Sequence, residues 1–218
     1  MVRLLRRGAL LNISIVRRVG VLAVVAVAVS ALVWGAPTVR GAVGSETPGP
    51  WCGGVLWRLM TLSDAQRGRV DFSPRAISIA EIAKLPPPTR IGTTRATAFQ
   101  RQRWTMSMVV DRYRIASNGE IALILYSIES AQYMNAYLPN PHCLGPRARD
   151  RSGMLAARKE FISHCPPATA QWQLLGATVQ VGGVGFWNPS KATRGALPNG
   201  AELRPLTDLS IVSGCGIG

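Results

Sequence analysis

The amino-acid sequence predicts a mostly β domain of the α+β class, preceded by one N-terminal helix that is either transmembrane or a secretion signal. Three observations predict it: an 18-residue uncharged run near the N-terminus, alternating apolar and polar residues in several later segments, and four cysteines that all follow the run. The chain has 218 residues, which suits one domain of ordinary size plus a targeting segment.

The uncharged run extends from Val19 to Ala36. As a helix rising about 1.5 Å per residue it spans roughly 27 Å, close to the ~30 Å hydrocarbon core of a membrane. Five arginines and no acidic residue precede it, so the positive-inside rule places residues 1–18 in the cytoplasm and the C-terminal part outside. An uncleaved anchor fits, and so does a signal peptide cut near residues 29–31 or within 35–42. We therefore expect a single-pass bacterial cell-membrane protein or, alternatively, a secreted one.

Residues 37–50 are rich in Gly, Pro, Ser and Thr, as is typical of a linker, so the extracytoplasmic domain is predicted to comprise residues 51–218. Without the five N-terminal arginines, 20 basic residues stand against 11 acidic ones. This balance favours polyanionic partners such as nucleic acid or acidic cell-wall polymers. The excess of arginine over lysine is equally typical of GC-rich genomes.

Signals for a short helix and for strands follow the linker. Ser78 and Glu81 form a capping box that begins a short helix, and the proline run at 86–88 ends it. Period-two alternation then predicts five strands, and Asn118-Gly119 predicts a two-residue hairpin turn between the first two. The predicted strands cover residues 104–111, 121–128, 132–138, 173–181 and 203–212.

Apolar residues at three- and four-residue steps from Met154 to Ile162 predict a helix between the third and fourth strands. Gly182, Gly183 and Gly185 predict a bend or bulge in the fourth strand, while Pro205 is expected to confine the start of the fifth to a sheet edge. The order β-β-β-α-β-β is that of the OB-fold, a five-stranded Greek-key barrel. The sequence thus predicts an OB-fold-like barrel.

The loop after the fourth strand carries the candidate ligand-binding residues, because in OB-folds this loop borders the ligand face. Three cations on it, beside a tryptophan, suit polyanions and stacked bases or sugars. A solvated basic loop above a buried Trp187 is the alternative. A second basic group, Arg90, Arg95, Arg101 and Arg103, is expected at the surface. The candidate residues are Trp187, Lys191, Arg194, Asn199, Glu202 and Arg204.

Catalytic motifs are missing from the sequence: it contains no G-x-S-x-G, H-E-x-x-H or Walker loop, and no G-x-G-x-x-G between strand and helix. We therefore predict no catalytic residue, metal site or cofactor, and a non-enzymatic binding module for anionic ligands. One alternative is a metal-independent or degenerate nuclease-like OB-fold enzyme. Another is a structural envelope protein that docks onto a second protein through residues 85–88.

Three motifs resemble a family of uncharacterised exported bacterial proteins over roughly residues 51–213. They are the Cys52-Gly53 start, the P-x-P-x-C element ending at Cys143, and GVGFWNPSKATRGALPNGAELRPL at 183–206, where family members read close to GVGFFD…HGQ.G.APNGIELHPV. The resemblance implies secretion and a shared fold, and no particular activity. The family has an aspartate and two histidines where this chain has Asn188, Lys191 and Arg204, so it implies no metal or acid–base chemistry here.

Cys52, Cys143, Cys165 and Cys215 are expected to form disulfides, because their number is even and their compartment oxidising. Of the three pairings, Cys143–Cys165 is disfavoured: the intervening predicted helix would hold its ends roughly 25 Å apart, whereas a disulfide needs Cα atoms within ~7 Å. Two pairings stay open on the residues alone. The resemblance favours Cys52–Cys143, since both lie in family elements, and thereby Cys165–Cys215.

Overall fold

The structure is a computed structural model that describes residues 52–215. The predicted N-terminal helix at 19–36 and the linker at 37–50 lie outside the described residues. Within 52–215 no helix has the length and apolar character needed to cross a membrane.

The described residues form a mostly β domain, as the sequence predicts. Six strands carry most of the regular structure, and three short 3-10 segments join them at Arg67–Arg69, Phe99–Arg101 and Pro141–Cys143. In chain order the elements are α1 (Trp57–Met60), β1 (Asp71–Ala76), α2 (Ile79–Ala83), β2 (Gln102–Ile115), β3 (Ile121–Ser127), β4 (Gln132–Leu138), α3 (Arg151–His164), β5 (Gln173–Trp187) and β6 (Ala201–Ser213).

Five of the six strands pair with one another in a closed order, which we call the circuit. Antiparallel pairing joins β2 to β3, β3 to β4 and β5 to β6, and a parallel contact between Ala136 and Leu203 joins β4 to β6. The long strand β2 also pairs antiparallel with β5 along most of its length, from Arg103 to Tyr113. The order β2-β3-β4-β6-β5 therefore returns to β2.

The sixth strand, β1, is absent from the prediction. It pairs in parallel with the start of β2, from Asp71 opposite Gln102 to Ala76 opposite Thr105. Its sequence, DFSPRA, has no apolar alternation, and all its residues except Phe72 are exposed. Pro74 is tolerated because β1 has a strand on one side only.

The main core lies inside the circuit. Alternate residues of the strands point inward, so that Leu123 and Leu125 of β3 and Met134 and Ala136 of β4 are fully buried. Helix α3, predicted between the third and fourth strands, adds Phe161 to the same cluster and packs mainly against β6. A smaller apolar cluster forms under the N-terminal segment around Leu62, Val70, Leu144, Ala148, Met154 and Val184.

The capping box predicted for α2 is present. The Ser78 hydroxyl accepts a hydrogen bond from the Glu81 amide, and the Glu81 carboxylate accepts one from the Ser78 amide at 2.8 Å. Glycine-associated irregularities, also predicted, interrupt the pairing of β5 with β6 on both sides of Gly183.

The β2–β3 hairpin is present, but its two-residue turn is a wrong prediction. The loop has three residues: the amide of Gly119 donates to the carbonyl of Ala116, whose own amide donates to the carbonyl of Glu120. Of the predicted pair, only Gly119 has a positive φ, at 77°. Asn118 instead uses its side-chain oxygen to accept from the Glu120 amide at 3.2 Å, which stabilises the longer loop.

Pro205 does not lie at a sheet edge, contrary to the prediction. Strand β6 has β5 on one side and β4 on the other, since Leu203 pairs with both Gly185 and Ala136. The register with β5 shifts between Gly183 and Gly185, so two residues of β6 oppose one of β5. A proline fits in this bulge because the ladder needs no amide donor there.

Two disulfides join Cys52 to Cys143 and Cys165 to Cys215, the pairing that the resemblance favoured. The first ties the start of the domain to the segment after β4, and the second ties the end of α3 to the residues after β6. They fit an extracytoplasmic protein.

Candidate functional site

Trp187 lies in the core rather than on a ligand surface. Its side chain is fully buried, and its indole Nε1 donates to the Thr97 hydroxyl at 2.9 Å. The Phe99 ring packs on it with centroids 5.0 Å apart. The alternative in which the basic loop lies above a buried tryptophan describes this residue.

Arg204 and Glu202 form a buried ion cluster with Glu120 of the β2–β3 loop. The Arg204 guanidinium pairs with the Glu120 carboxylate through Nη2 and Nε, and its Nη1 lies 3.4 Å from Glu202 Oε1. The Asn188 side-chain amide donates to the other Glu202 oxygen at 3.1 Å. The guanidinium also lies 4.1 Å from the ring centroid of Tyr137.

Burial governs the titration of this ion cluster. Desolvation raises the pKa of Glu202 to about 7, although the charge of Arg204 and the hydrogen bond from the Asn188 amide both act to lower it. Burial also raises the pKa of Tyr137 far above its ordinary range. For Arg204, burial alone would lower the pKa, but the two carboxylates outweigh it and raise the pKa. The guanidinium of Arg204 therefore stays charged, and its hydrogen-bond donors are taken by Glu120 and Glu202 inside the domain.

Asn199 connects the β5–β6 loop to α2. Its side-chain amide donates to the carbonyl oxygens of Ile82 at 2.8 Å and Leu85 at 3.1 Å, which lie at the C-terminal end of that helix. The Ile82 carbonyl also accepts from the Leu85 amide at 3.0 Å, and Asn199 adds a side-chain donor to it and to the Leu85 carbonyl at the end of the helix, where main-chain donors run out. Its contacts are thus structural, and they hold the far end of the loop in place. The proline run expected to dock a partner follows α2 directly, and Pro86 and Pro87 are exposed.

Lys191 and Arg194 are exposed, and the loop that bears them folds over the outer faces of β3 and β4. Thr193 accepts a hydrogen bond from the Asn135 side-chain amide at 3.2 Å. Gly195, with φ of 77°, lies so close to Ile124 that a Cβ atom there would approach its Cγ2 to 2.8 Å. The loop therefore brings Arg194 against the sheet, while Arg204 stays below in the ion cluster.

Where Arg194 meets the strands there is a cleft of about 310 Å³, which we call the basic cleft. Arg112 of β2 and Arg194 supply its positive charge, and Asp111, 3.4 Å from Arg112, supplies one carboxylate. Tyr133 of β4 is 44% exposed there. The full lining is Asp111, Arg112, Ile124, Tyr133, Arg194 and Gly195.

Aromatic rings continue the surface beside the basic cleft. Tyr133 packs against Tyr126 of β3, its cross-strand neighbour, with ring centroids 4.8 Å apart. Arg114, two residues beyond Arg112 on the same face of β2, lies 4.9 Å from the ring centroid of Trp172. Cations and aromatic rings thus lie side by side along one outer face of the domain.

Sequence reasoning missed Arg112, Tyr126 and Tyr133. The signal that could have found them is their alternation with core residues: Arg112 stands next to buried Tyr113, and Tyr133 next to buried Met134. Outward positions of adjacent antiparallel strands face the same surface. Among residues 52–215, no three His, Cys, Asp or Glu side chains are grouped closely enough to hold a metal ion.

No family model matches the chain, and no curated protein is significantly similar to it in sequence. The resemblance to exported bacterial proteins therefore stays a prediction, as does the ligand-binding role of the loop residues.

Proposed function

We propose that the domain is an OB-type barrel that works outside the cytoplasm as a non-enzymatic binding module for anionic polymers. The strand circuit supports the barrel assignment, because β4 and β6 are parallel neighbours and a helix joins β4 to β5. In this assignment β1 is an addition to the five barrel strands. Strand β1 pairs only with β2, so it lies outside the five-strand circuit and leaves the order of those five strands unchanged.

The two disulfides and the N-terminal run of 18 uncharged residues support an extracytoplasmic location. In this proposal the run anchors the protein in a bacterial cell membrane, with release by signal cleavage as the alternative. The domain then faces polymers of the envelope or of the medium.

The basic cleft is the observation that carries the binding function. In OB-folds, ligands lie across the second and third strands, between the loop joining strands one and two and the loop joining strands four and five. Here those strands are β3 and β4, and the basic cleft lies on them under the second of these loops. Two arginines beside a partly exposed tyrosine suit a phosphate-bearing chain, through charge and stacking.

The ion cluster supports this function by holding the two bordering loops. Glu120 ends the β2–β3 loop, Asn188 begins the β5–β6 loop, and Arg204 with Glu202 connects them. Arg204 therefore acts as a positioning residue in this proposal. A cleft held in place before binding loses less conformational entropy on binding.

The test is the salt dependence of polyanion binding. We expect the full chain in detergent micelles to bind a fluorescent 15-nucleotide oligothymidylate or a polyglycerol phosphate. For the oligothymidylate, the double variant R112S/R194S should reduce the magnitude of the salt slope by about 1.4, since each lost phosphate contact on a single strand removes about 0.7. The matched control R69S/R90S removes two exposed arginines that do not line the cleft.

Equal slopes for the two double variants would contradict the assignment of the basic cleft. A further variant, Tyr133→Ala, separates stacking from charge. It should weaken oligothymidylate binding by about 1 to 3 kcal/mol if a base stacks there, and should leave the salt slope unchanged.

A further inference from the structure

A second and larger cleft, of about 490 Å³, lies on the other side of Tyr126 from the basic cleft. It is bounded by the start of α2, the middle of β2 and the turn between β3 and β4. We call it the acidic groove. The lining residues used below are Ser78, Glu81, Ser107, Met108, Ile128 and Glu129.

The middle of β2 has an uncovered edge in this groove. On one side β2 is paired with β5 throughout this stretch. On the other side, β1 ends opposite Thr105 and β3 begins to pair only at Val109. No strand of the described chain covers Met106 to Met108 on that side.

The main chain of Ser107 points into this gap. The carbonyl of Thr105 faces the β1 side, where it accepts from the Ile77 amide at 3.3 Å. Main-chain polar groups of a strand alternate sides from one residue to the next, so the amide and carbonyl of Ser107 face the same way as those of Thr105. They are positioned to exchange two hydrogen bonds with an extended chain in the acidic groove.

The lining of this groove is negatively charged, whereas the chain as a whole is basic. Its only charged lining residues are two carboxylates, Glu81 and Glu129, although the chain as a whole has a formal charge of +14. Both residues are exposed. Glu129 forms no ion pair with any described residue, and Glu81 uses only Oε2 in the α2 capping box.

Apolar surface completes the groove. Ile128, at the tip of the β3–β4 turn, is 75% exposed, and Met108 is partly exposed. Large aliphatic side chains exposed beside an uncovered strand edge are features of surfaces that receive an added strand.

From these three features we propose that the acidic groove binds an extended cationic peptide segment of a partner protein. The peptide adds to the free edge of β2 at Ser107, its lysine or arginine side chains meet Glu129 and Glu81, and an apolar side chain contacts Ile128. This site is separate from the basic cleft and does not depend on the function proposed for it.

The probe is a fluorescent peptide with the sequence acetyl-Val-Arg-Val-Arg-Val-Arg-Val-amide, added to the full chain in detergent micelles and followed by anisotropy. We expect saturable binding, and no binding of the same peptide with Glu in place of Arg. Glu129→Lys should weaken binding roughly tenfold, because it replaces an attraction by a repulsion. Asp71→Lys, the same charge change at an exposed position outside the groove, should change it less than twofold.

A peptide methylated on the amide of its central residue and of the residues two positions either side tests the strand pairing. Its affinity should fall by at least about fivefold, since a main-chain donor to Ser107 is lost. The proposal is overturned if the arginine peptide does not bind, if Glu129→Lys and Asp71→Lys weaken binding equally, or if the methylated peptide binds as well as its parent.

Discussion

At the scale of single residues, two of the three buried arginines of residues 52–215 form ion pairs inside the domain. Arg204 pairs with Glu120 and Glu202, while Arg95, expected at the surface, is 1% exposed and lies 2.7 Å from Asp64. Arg95 also donates to the carbonyl oxygens of Leu59 and Gln100. A buried charge is tolerated when it is paired and its hydrogen bonds are satisfied, so the stability of the domain depends on the partners of both arginines.

Removing one member of the Arg95–Asp64 pair should be strongly destabilising. We expect Arg95→Met to lower the free energy of unfolding by about 3 to 5 kcal/mol, because it leaves the Asp64 carboxylate buried without a counter-charge. Adding Asp64→Asn should recover part of the loss, since a neutral amide is cheaper to bury and its oxygen still accepts from the Gln66 amide. Urea unfolding of the single and double variants measures both effects, and a double variant less stable than Arg95→Met would contradict this account.

Glu202 should make stability depend on pH. Burial raises its pKa from the ordinary value of 4.5 to about 7, so folding disfavours the ionised form. Its favourable contribution is complete below pH 4.5 and is lost as the pH rises through 7. Relative to Glu202→Gln, the native protein should therefore lose about 3 kcal/mol of unfolding free energy between pH 4.5 and 8.

Urea unfolding of both proteins at several pH values between 4.5 and 8 measures this difference. Glu129→Gln, which removes an exposed carboxylate, is the control and should keep the pH profile of the native protein. A constant difference between the native protein and Glu202→Gln across this range would refute the assignment.

At the scale of elements, turns and disulfides fix how the strands meet. The three-residue loop between β2 and β3 requires Gly119 at φ of 77°, and the side chain of Asn140 fills the space where a Cβ atom would lie. Asn140 in turn donates to the carbonyl of Asn118 at 3.0 Å, so the hairpin loop is held by the segment that follows β4.

Gly119→Ala should destabilise the domain by at least about 1 to 2 kcal/mol, the cost of a left-handed conformation for a residue with a Cβ atom. Gly68→Ala is the matched control, because Gly68 has open space around its Cα and an ordinary φ. That change should be neutral or slightly stabilising. Thermal unfolding of the two variants decides the matter, and equal melting temperatures would argue against the strained turn.

The second disulfide should contribute substantially to stability. It closes a separation of 50 residues, and in the chain-entropy model its removal by C165A/C215A costs about 4 kcal/mol. Unfolding of the oxidised native protein and of the variant measures this loss. Peptide mapping without reductant should recover Cys165 joined to Cys215, and a Cys52–Cys165 peptide would exclude the pairing.

At the scale of the whole molecule, the paired cysteines fit an extracytoplasmic protein, and the charge asymmetry of the N-terminus predicts the matching orientation. Five arginines precede Val19, and all four cysteines lie beyond Ala36 and are paired. Disulfides persist in compartments outside the cytoplasm. The binding surfaces proposed above would therefore meet polymers and peptides of the envelope.

This orientation predicts the behaviour of a C-terminal fusion. A reporter that is active only in the cytoplasm, fused after Gly218, should be inactive, because the positive-inside rule places the C-terminus outside. A periplasm-active reporter at the same position should be active and serves as the control. Cytoplasmic activity of the first reporter would reverse the topology.

The sequence by itself determined the features that depend on neighbouring residues. Alternation along β2 to β4 predicted the strands, the Ser78–Glu81 spacing predicted the capping box, and Asn118-Gly119 predicted a hairpin. These signals are local because main-chain geometry and short-range hydrogen bonds set them. The even number of cysteines and their position after the uncharged run also predicted disulfides, since this inference depends on the compartment rather than on the fold.

Only the tertiary structure decided where the charged residues lie. Arg194 and Arg204 are ten residues apart on one segment, yet one is exposed at the basic cleft and the other is buried between carboxylates. Glu120, the main partner of Arg204, is 84 positions away from it in the sequence. Likewise β1, which has no apolar pattern, is a strand because it pairs with the edge of β2. Contacts between distant segments set these environments, and no local pattern in the sequence records them.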